Sequence, residues 1–173
     1  MELIKPNSRY ETSLRSFVRE VADAGEDLVP WVLAELGSDI DAYVDDLEQQ
    51  SRGRNLEEGR VPHSTFWLVD DSDEIVAVSN LRHRLNAFLS EVGGHIGFGV
   101  RPSVRRRGFA TEVLRCTLVE AGKLGIDRAF ITCDKGNIGS ERAIVKNGGV
   151  LQDEIWSDAY SRVVRRFWIA AVR

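Results

Sequence analysis

The sequence predicts an α+β domain with a mixed sheet, and three features carry that prediction. Thr65–Val69 (TFWLV) and Ile75–Leu81 (IVAVSNL) flank the turn Asp70-Asp71-Ser72-Asp73 and read as a hairpin. His95–Val100 alternates with a two-residue period. After a basic loop the period turns helical as far as Lys123, and Arg128–Cys133 (RAFITC) is again a strand, the order of a right-handed strand–helix–strand crossover. A final pair starts at Val150-Leu151 and continues through Arg162–Val172, where Val164, Phe167, Ile169 and Ala171 are partly alternating apolar positions.

Leu3-Ile4 opens a short first strand that stops at Pro6-Asn7. Ser8, with Glu11 three residues on, is the expected cap of a helix over Tyr10–Ala24, whose apolar face is Tyr10, Leu14, Phe17, Val18 and Val21 and which Gly25 and Pro30 break. Asp39 caps a second helix, Ile40–Gln50, lined by Ile40, Tyr43, Val44 and Leu47. Its other side carries Asp41, Asp45, Asp46 and Glu48, either a solvated face or an attraction for a cationic substrate. Ser51–Pro62 is a polar loop, and Arg82–Gly94 is a connection longer than a tight hairpin needs, a length that often signals function. Ala143 and Ile144 mark the inner side of a short helix within Asp134–Asn147, ended by Gly148-Gly149.

The 173 residues form one domain, 1–173, with an ordinary composition. No apolar run is long enough to span a bilayer, and the first residues lack a signal peptide's basic start and apolar run, so no membrane partner and a cytoplasmic location are expected. Cys116 and Cys133 are no disulfide framework and read as small buried hydrophobes. The histidines and cysteines lack paired ligand spacings, so no metal site is expected. A formal charge of −4 argues against nucleic acid as a partner.

Chemistry concentrates in His95–Lys123. Pro102 ends the strand, Arg101, Arg105, Arg106 and Arg107 surround the turn, and Gly108 opens a helix with Ala110, Val113, Leu114, Thr117, Leu118 and Ala121 on its apolar stripe. The first-turn N–H groups and the helix dipole make such an end an anion site, suited to a diphosphate. There is no Gly-Lys-Ser/Thr for a Walker A loop, and Pro102 stands where a dinucleotide fingerprint needs glycine.

Arg105-x-x-Gly108-x-Ala110, preceded by Val100-Arg101-Pro102, resembles the pyrophosphate loop of the GNAT superfamily of acetyl-CoA-dependent N-acetyltransferases, within a little-characterised subgroup of predicted acetyltransferases. Asn137-Ile138-Gly139-Ser140, running on to Lys146-Asn147-Gly148-Gly149, looks like that family's second signature. The resemblance covers Thr65–Val172 well, the N-terminal helices matching only in type. It implies a mostly antiparallel central sheet with helices on both faces and a splayed central parallel strand pair. It implies acetyl-CoA as co-substrate, without a metal, held by Phe98, Val100, Arg105, Arg106, Arg107, Gly108, Phe109, Ala110, Thr111, Asn137 and Ser140, with the Val100 N–H as donor to the thioester carbonyl. It also implies acetyl transfer to a primary amine of a small molecule or peptide by direct attack in a ternary complex. Locally, Asn137 favours a turn and Ser140 a helix cap. The chain departs from the family at Ile144, where a tyrosine acid is common, and at Gly149, where Phe is usual. The first departure leaves an alternative, an acyl-CoA-binding sensor without catalysis.

Attack by an amine calls for a proton acceptor. His95 is the first candidate, against a structural reading as a core strand histidine. Glu91 is second and Asp134 third. His63 and His83 read as surface loop residues. Trp31, Trp67 and Trp156 either line an acceptor pocket or fill the core, and the acceptor amine stays open. The last strand offers an edge for a homodimer.

Overall fold

The computed structural model describes residues 1–171, so the end of the expected last strand at Val172 lies outside the described residues. The elements in chain order are β1 (Glu2–Ile4), α1 (Glu11–Asp23), α2 (Ile40–Ser51), β2 (His63–Val69), β3 (Ile75–Arg82), β4 (Ile96–Val100), α3 (Phe109–Lys123), β5 (Arg128–Asp134), α4 (Ile138–Lys146), β6 (Val150–Ser157) and β7 (Arg162–Ala170). A 3₁₀ turn at Ser8–Tyr10 leads into α1, and a π-helical turn at Leu89–Gly93 precedes β4.

Two ends differ from expectation. Asn7, and not Ser8, caps the first turn, its side chain accepting from Arg9 N. β2 begins at His63, two residues before the apolar run, because Ser64 and His63 continue the antiparallel register against Leu81 and Arg82. Asp39 caps α2 as expected, accepting from Ala42 N at 3.0 Å.

The fold is α+β as expected, its strands in two antiparallel sheets, β1-β2-β3-β4 and β5-β7-β6, that part between β4 and β5; β7 lies between β5 and β6, so the last strand is not the free edge expected for a homodimer. The sheets meet where β4 and β5 start. His95 N donates to Phe130 O at 2.6 Å, and Phe130 N donates to His95 Nδ1 at 2.9 Å. Gly94, at φ +67°, permits this approach; a Cβ there would stand 2.6 Å from Phe130 O. Beyond this point no ladder joins the strands, and both line one cleft, β4 through Phe98–Val100 and β5 through Thr132–Asp134.

Helices cover both faces of the larger sheet. Leu14 and Phe17 of α1 and Tyr43 and Leu47 of α2 pack with Trp67, Ile75 and Val78. On the other face Val113, Leu114 and Leu118 of α3 pack with Leu68, Ala77, Ile96 and Ile131. The even residues of β4 point to the α3 side, with Phe98 and Val100 against Phe109 and Val113. The glycines, Gly97 and Gly99, are the odd positions, and a side chain at Gly99 would overlap the carbonyl of Val29 in the loop after α1. Among the described residues no helix is long and apolar enough to cross a membrane.

Gly94→Ala should therefore cost about 1–3 kcal/mol, combining a left-handed backbone with contact against Phe130. A fall in the urea midpoint with unchanged slope is the expected reading, and a midpoint equal to wild type would refute the seam assignment.

Candidate active site

A cleft of about 1310 Å³ opens where the sheets part. Its seam wall is the free edge of β4. Arg82 N donates to His95 O and Arg101 N to Val76 O, so the odd residues turn their backbone groups toward β3. Alternation leaves the N–H and C=O groups of Phe98 and Val100 on the far edge, which no described strand pairs. The N-terminus of α3 opens into the same cleft. Gly108, its N-cap, holds φ +93°, and no side chain caps the helix. Free first-turn N–H groups and the dipole make this end electropositive.

Ten of the eleven residues expected to hold the co-substrate line this cleft: Phe98, Val100, Arg105, Arg106, Gly108, Phe109, Ala110, Thr111, Asn137 and Ser140. Arg107 does not; it is exposed, its guanidinium 5.4 Å from the Phe109 ring. The arginines after β4 differ in what they touch. Arg101 is buried, bonding Ile75 O, Ser13 and Glu20, and adds nothing to the cleft. Arg105 forms a double hydrogen bond with Glu26, at 2.6 Å each, and reaches Val100 O. Arg106 lines the cleft with no ion-pair partner among the described residues, as do Arg142 and Lys146 of α4, which sequence reasoning missed although Lys146 lay inside the second motif.

Asn137 is the cap of α4, its Oδ1 accepting from Ser140 N at 3.0 Å, so Ser140 sits in the first turn and does not cap. Ile144 is fully buried, and a Cβ at Gly149 would overlap its side chain. The two departures from the family pattern are thus one packing arrangement. Among the three tyrosines, only Tyr160 lines the cleft.

The proton acceptors are placed differently from expectation. His95 is buried and does not line the cleft; its Nδ1 lone pair receives Phe130 N–H, and burial lowers its pKa. Glu91 is exposed and also off the cleft. Asp134 lines the cleft but pairs with Arg162 at 2.7 Å. His63, expected at the surface, is buried at the start of β2 and lines the cleft. Its Nδ1 meets Asn80 Nδ2 at 2.9 Å, its ring stands edge-on to Trp31, and its buried Nε2 has no partner. Burial first, then Arg82 and Arg60, push its pKa down to about 4. His83 is half-buried, its Nε2 2.8 Å from Ser64 Oγ. The signal for His63 was its place between Pro62 and an apolar run, just too early for the alternation to include it.

Trp31 lines the cleft, Trp67 is wholly in the core, and Trp156 is exposed. The acidic face of α2 lies off the cleft: Asp46 accepts from Gln50 and Asn55, and Glu48 from Arg52. Cys133 is buried and Cys116 half-buried, its thiol against Glu112. Among the described residues no group of three or more His, Cys, Asp or Glu is placed to hold a metal.

Residues 19–150 match the family model described as "Acetyltransferase (GNAT) domain". No curated protein matches the chain by sequence. Solved structures share the fold at low identity. A mutant of spermidine N-acetyltransferase SpeG from Vibrio cholerae is 13% identical with a TM-score of 0.63, covering 99% of this chain and 95% of its own. RimL, a ribosomal L7/L12 alpha-N-protein acetyltransferase in complex with coenzyme A, is 15% identical with a TM-score of 0.69, covering 97% and 92%. The microcin C7 self-immunity acetyltransferase MccE, in complex with acetyl-CoA and AMP, is 16% identical with a TM-score of 0.65, covering 97% and 91%.

His63 predicts a pH dependence. Its folded pKa lies below the ordinary 6.5, so an unfolded chain takes up this proton first as pH falls. Wild type should lose stability relative to His63→Gln between about pH 6.5 and pH 4, by up to roughly 1.4 kcal/mol per unit, and none above that window. Urea unfolding of both proteins across this range checks it.

Proposed function

Because the chain belongs to the GNAT acetyltransferase domain family and is an acyltransferase, we propose that it moves an acetyl group from acetyl-CoA to a primary amine of a small molecule or peptide, by direct attack in a ternary complex. The observation that carries this reading is the backbone edge at Phe98 and Val100 that no described strand pairs, leading into the uncapped N-terminus of α3. Amides on an open strand edge match an amide-bearing arm, and an electropositive helix end matches a diphosphate. A cytoplasmic location belongs to the same proposal.

Acetyl-CoA supplies the activated thioester; the protein supplies position and proton handling. The N–H groups of Phe98 and Val100 hold the pantetheine arm and polarise the carbonyl. Asn137 has an amide nitrogen left for the same arm, since only its oxygen is used in capping. The first turn of α3, with Arg106, Arg142 and Lys146, holds the phosphates; Arg105 fixes the loop through Glu26. His63, the one histidine facing the cleft, takes the proton from the attacking amine on Nε2, which has a free lone pair once the Asn80 amide is turned so that its unpartnered Oδ1 accepts from His63 Nδ1–H. The departing thiolate is protonated by solvent or by Tyr160, since Ile144 has no proton to give and no exposure. That same buried Ile144 supports a second reading, an acyl-CoA sensor without transfer.

Two measurements separate these readings. In calorimetric titration, Gly108→Val should weaken acetyl-CoA binding about tenfold or more, since a β-branched residue resists φ +93° where the cradle forms. Unchanged affinity would remove the helix end from the binding site. In a thiol-release assay over a panel of primary amines, His63→Gln should lower kcat by roughly 10²–10³ with acetyl-CoA affinity retained, while Glu91→Gln stays near wild type. Acetyl-CoA binding without turnover of any amine would favour the sensor.

A further inference from the structure

Resting on the transferase reading, we infer that the acceptor is a primary amine that also carries an oxyanion, a carboxylate or a phosphate, and that the Arg82 guanidinium recognises it. Arg82 ends β3 and lines the cleft with His63 and Trp31. Its side chain is laid against the bare backbone of β4: a Cβ at Gly97 would come within 3.1 Å of Nη1 and 3.4 Å of Nη2. The buried Nη1 has no hydrogen-bond partner, and no described carboxylate forms an ion pair with Arg82. Other buried or half-buried arginines here are partnered: Arg101 by Glu20 and Ser13, Arg165 by Glu141 and Glu154, Arg166 by Asp153. Arg82 alone among them, itself half-buried, has a guanidinium nitrogen, Nη1, that is buried with no partner. Burying an unpaired charge is unfavourable, and a planar guanidinium fork matches the two oxygens of a carboxylate or phosphate.

The surroundings agree in sign. Arg60 is stacked on Trp31, 3.4 Å from the ring centroid, and its carboxylate contact is the distant, exposed Glu57 at 3.4 Å. Glu58 and Asp27 also line the cleft but are exposed, as is Glu26, which Arg105 occupies. The buried part of the acceptor side is therefore cationic, set against polyamines and toward amines with their own negative group. The same arrangement links recognition to proton transfer. Burial is the larger cause of the depressed His63 basicity, but Arg82 and Arg60 add to it, so an oxyanion neutralising them raises the basicity of the ring as substrate binds.

The test uses matched acceptors with acetyl-CoA: glutamate, phenylalanine and β-alanine beside their carboxamides, O-phosphoethanolamine beside ethanolamine, and spermidine. Each is measured for kcat/KM by thiol release. Each is also titrated calorimetrically into wild type and Arg82→Gln saturated with CoA. Anionic acceptors should exceed their uncharged counterparts by about tenfold or more, as expected for hydrogen bonds to a charged group, and spermidine should be inert. The carboxylate and phosphate pairs show which oxyanion is read. Arg82→Gln should erase the preference while its thermal midpoint stays equal or rises, because the change removes a buried charge that nothing in the fold pairs. A lowered midpoint, with the preference kept, would make Arg82 a structural residue and overturn the inference. Turnover of neutral amines or spermidine without an anionic preference overturns it and leaves the transferase reading intact. Binding of the oxyanion amines by wild type only, with no turnover, supports the anion site and overturns the transferase reading.

Discussion

One reciprocal pair of hydrogen bonds governs the architecture: His95 N to Phe130 O, and Phe130 N to His95 Nδ1. It is the point at which the backbones of the two antiparallel sheets are bonded to one another, and the cleft opens where no strand ladder continues that pairing. A strand fully zipped to its neighbour spends its amides on the ladder. A strand pinned only at its root keeps the amides beyond the pin, and an unmet buried amide costs about 1–3 kcal/mol. The backbone of Phe98 and Val100 can face an open cleft because water solvates it there, and a ligand with its own amides can take water's place. The connection supports the pin from both sides. Thr132 Oγ1 donates to Val92 O, and Gly94 brings the π-helical turn against β5 without a side chain in the way. The histidine is thus structural, and its ring serves as a backbone acceptor.

Charge in this chain depends on partners more than on sequence runs. The net charge is negative, yet cations gather at the cleft, half-buried at Arg60 and Arg82 and exposed at Arg106, Arg142 and Lys146. Arg101 is consumed by the end of α1, Arg105 by Glu26, and Arg107 lies outside, so a run of arginines that looks uniform on paper supplies a single cleft-facing cation, Arg106, without a partner. The rest of the positive potential comes from α4, across the seam. The acidic face of α2 looks as if it should matter and lies off the cleft, Asp46 taken up by Gln50 and Asn55 and Glu48 by Arg52 and Lys5.

The fold was largely legible because periodicity is local. The strands from Thr65, Ile75 and Arg128 and the helices under Tyr10, Ile40 and Ala110 stand within a residue or two of where their apolar spacing put them. The loop and second motif were legible for the same reason, since Gly108 and Asn137 each act through their own backbone neighbourhood. The placement of the histidines was not. His95 and His63 both stand beside a strand, and what separates them is a contact across 35 residues for the one and across 17 for the other. Alternation says which residues share a face and is silent on whether that face meets a neighbouring strand or a cavity. Ile144 and Gly149 were visible as two departures, but only packing shows that the glycine makes room for the isoleucine.

The geometry of β4 ties the two halves of the cleft together. In a strand, backbone groups and side chains alternate out of step, so a strand that offers the backbone of its even residues to one ligand must present its odd side chains to a different direction. Here those odd positions are Gly97 and Gly99. Their emptiness lets the Arg82 guanidinium and the Val29 carbonyl lie directly on the strand. In the proposed reading, one short strand therefore serves the co-substrate along an edge and forms a floor for the acceptor on one face. On that reading the attacking amine and the thioester need no separate scaffold to bring them together, since both would be measured from the same backbone. A change in β4 would then be felt on both sides, whereas Arg82 and His63, carried by β3 and β2, could vary with the acceptor while the edge proposed for acetyl-CoA stays as it is.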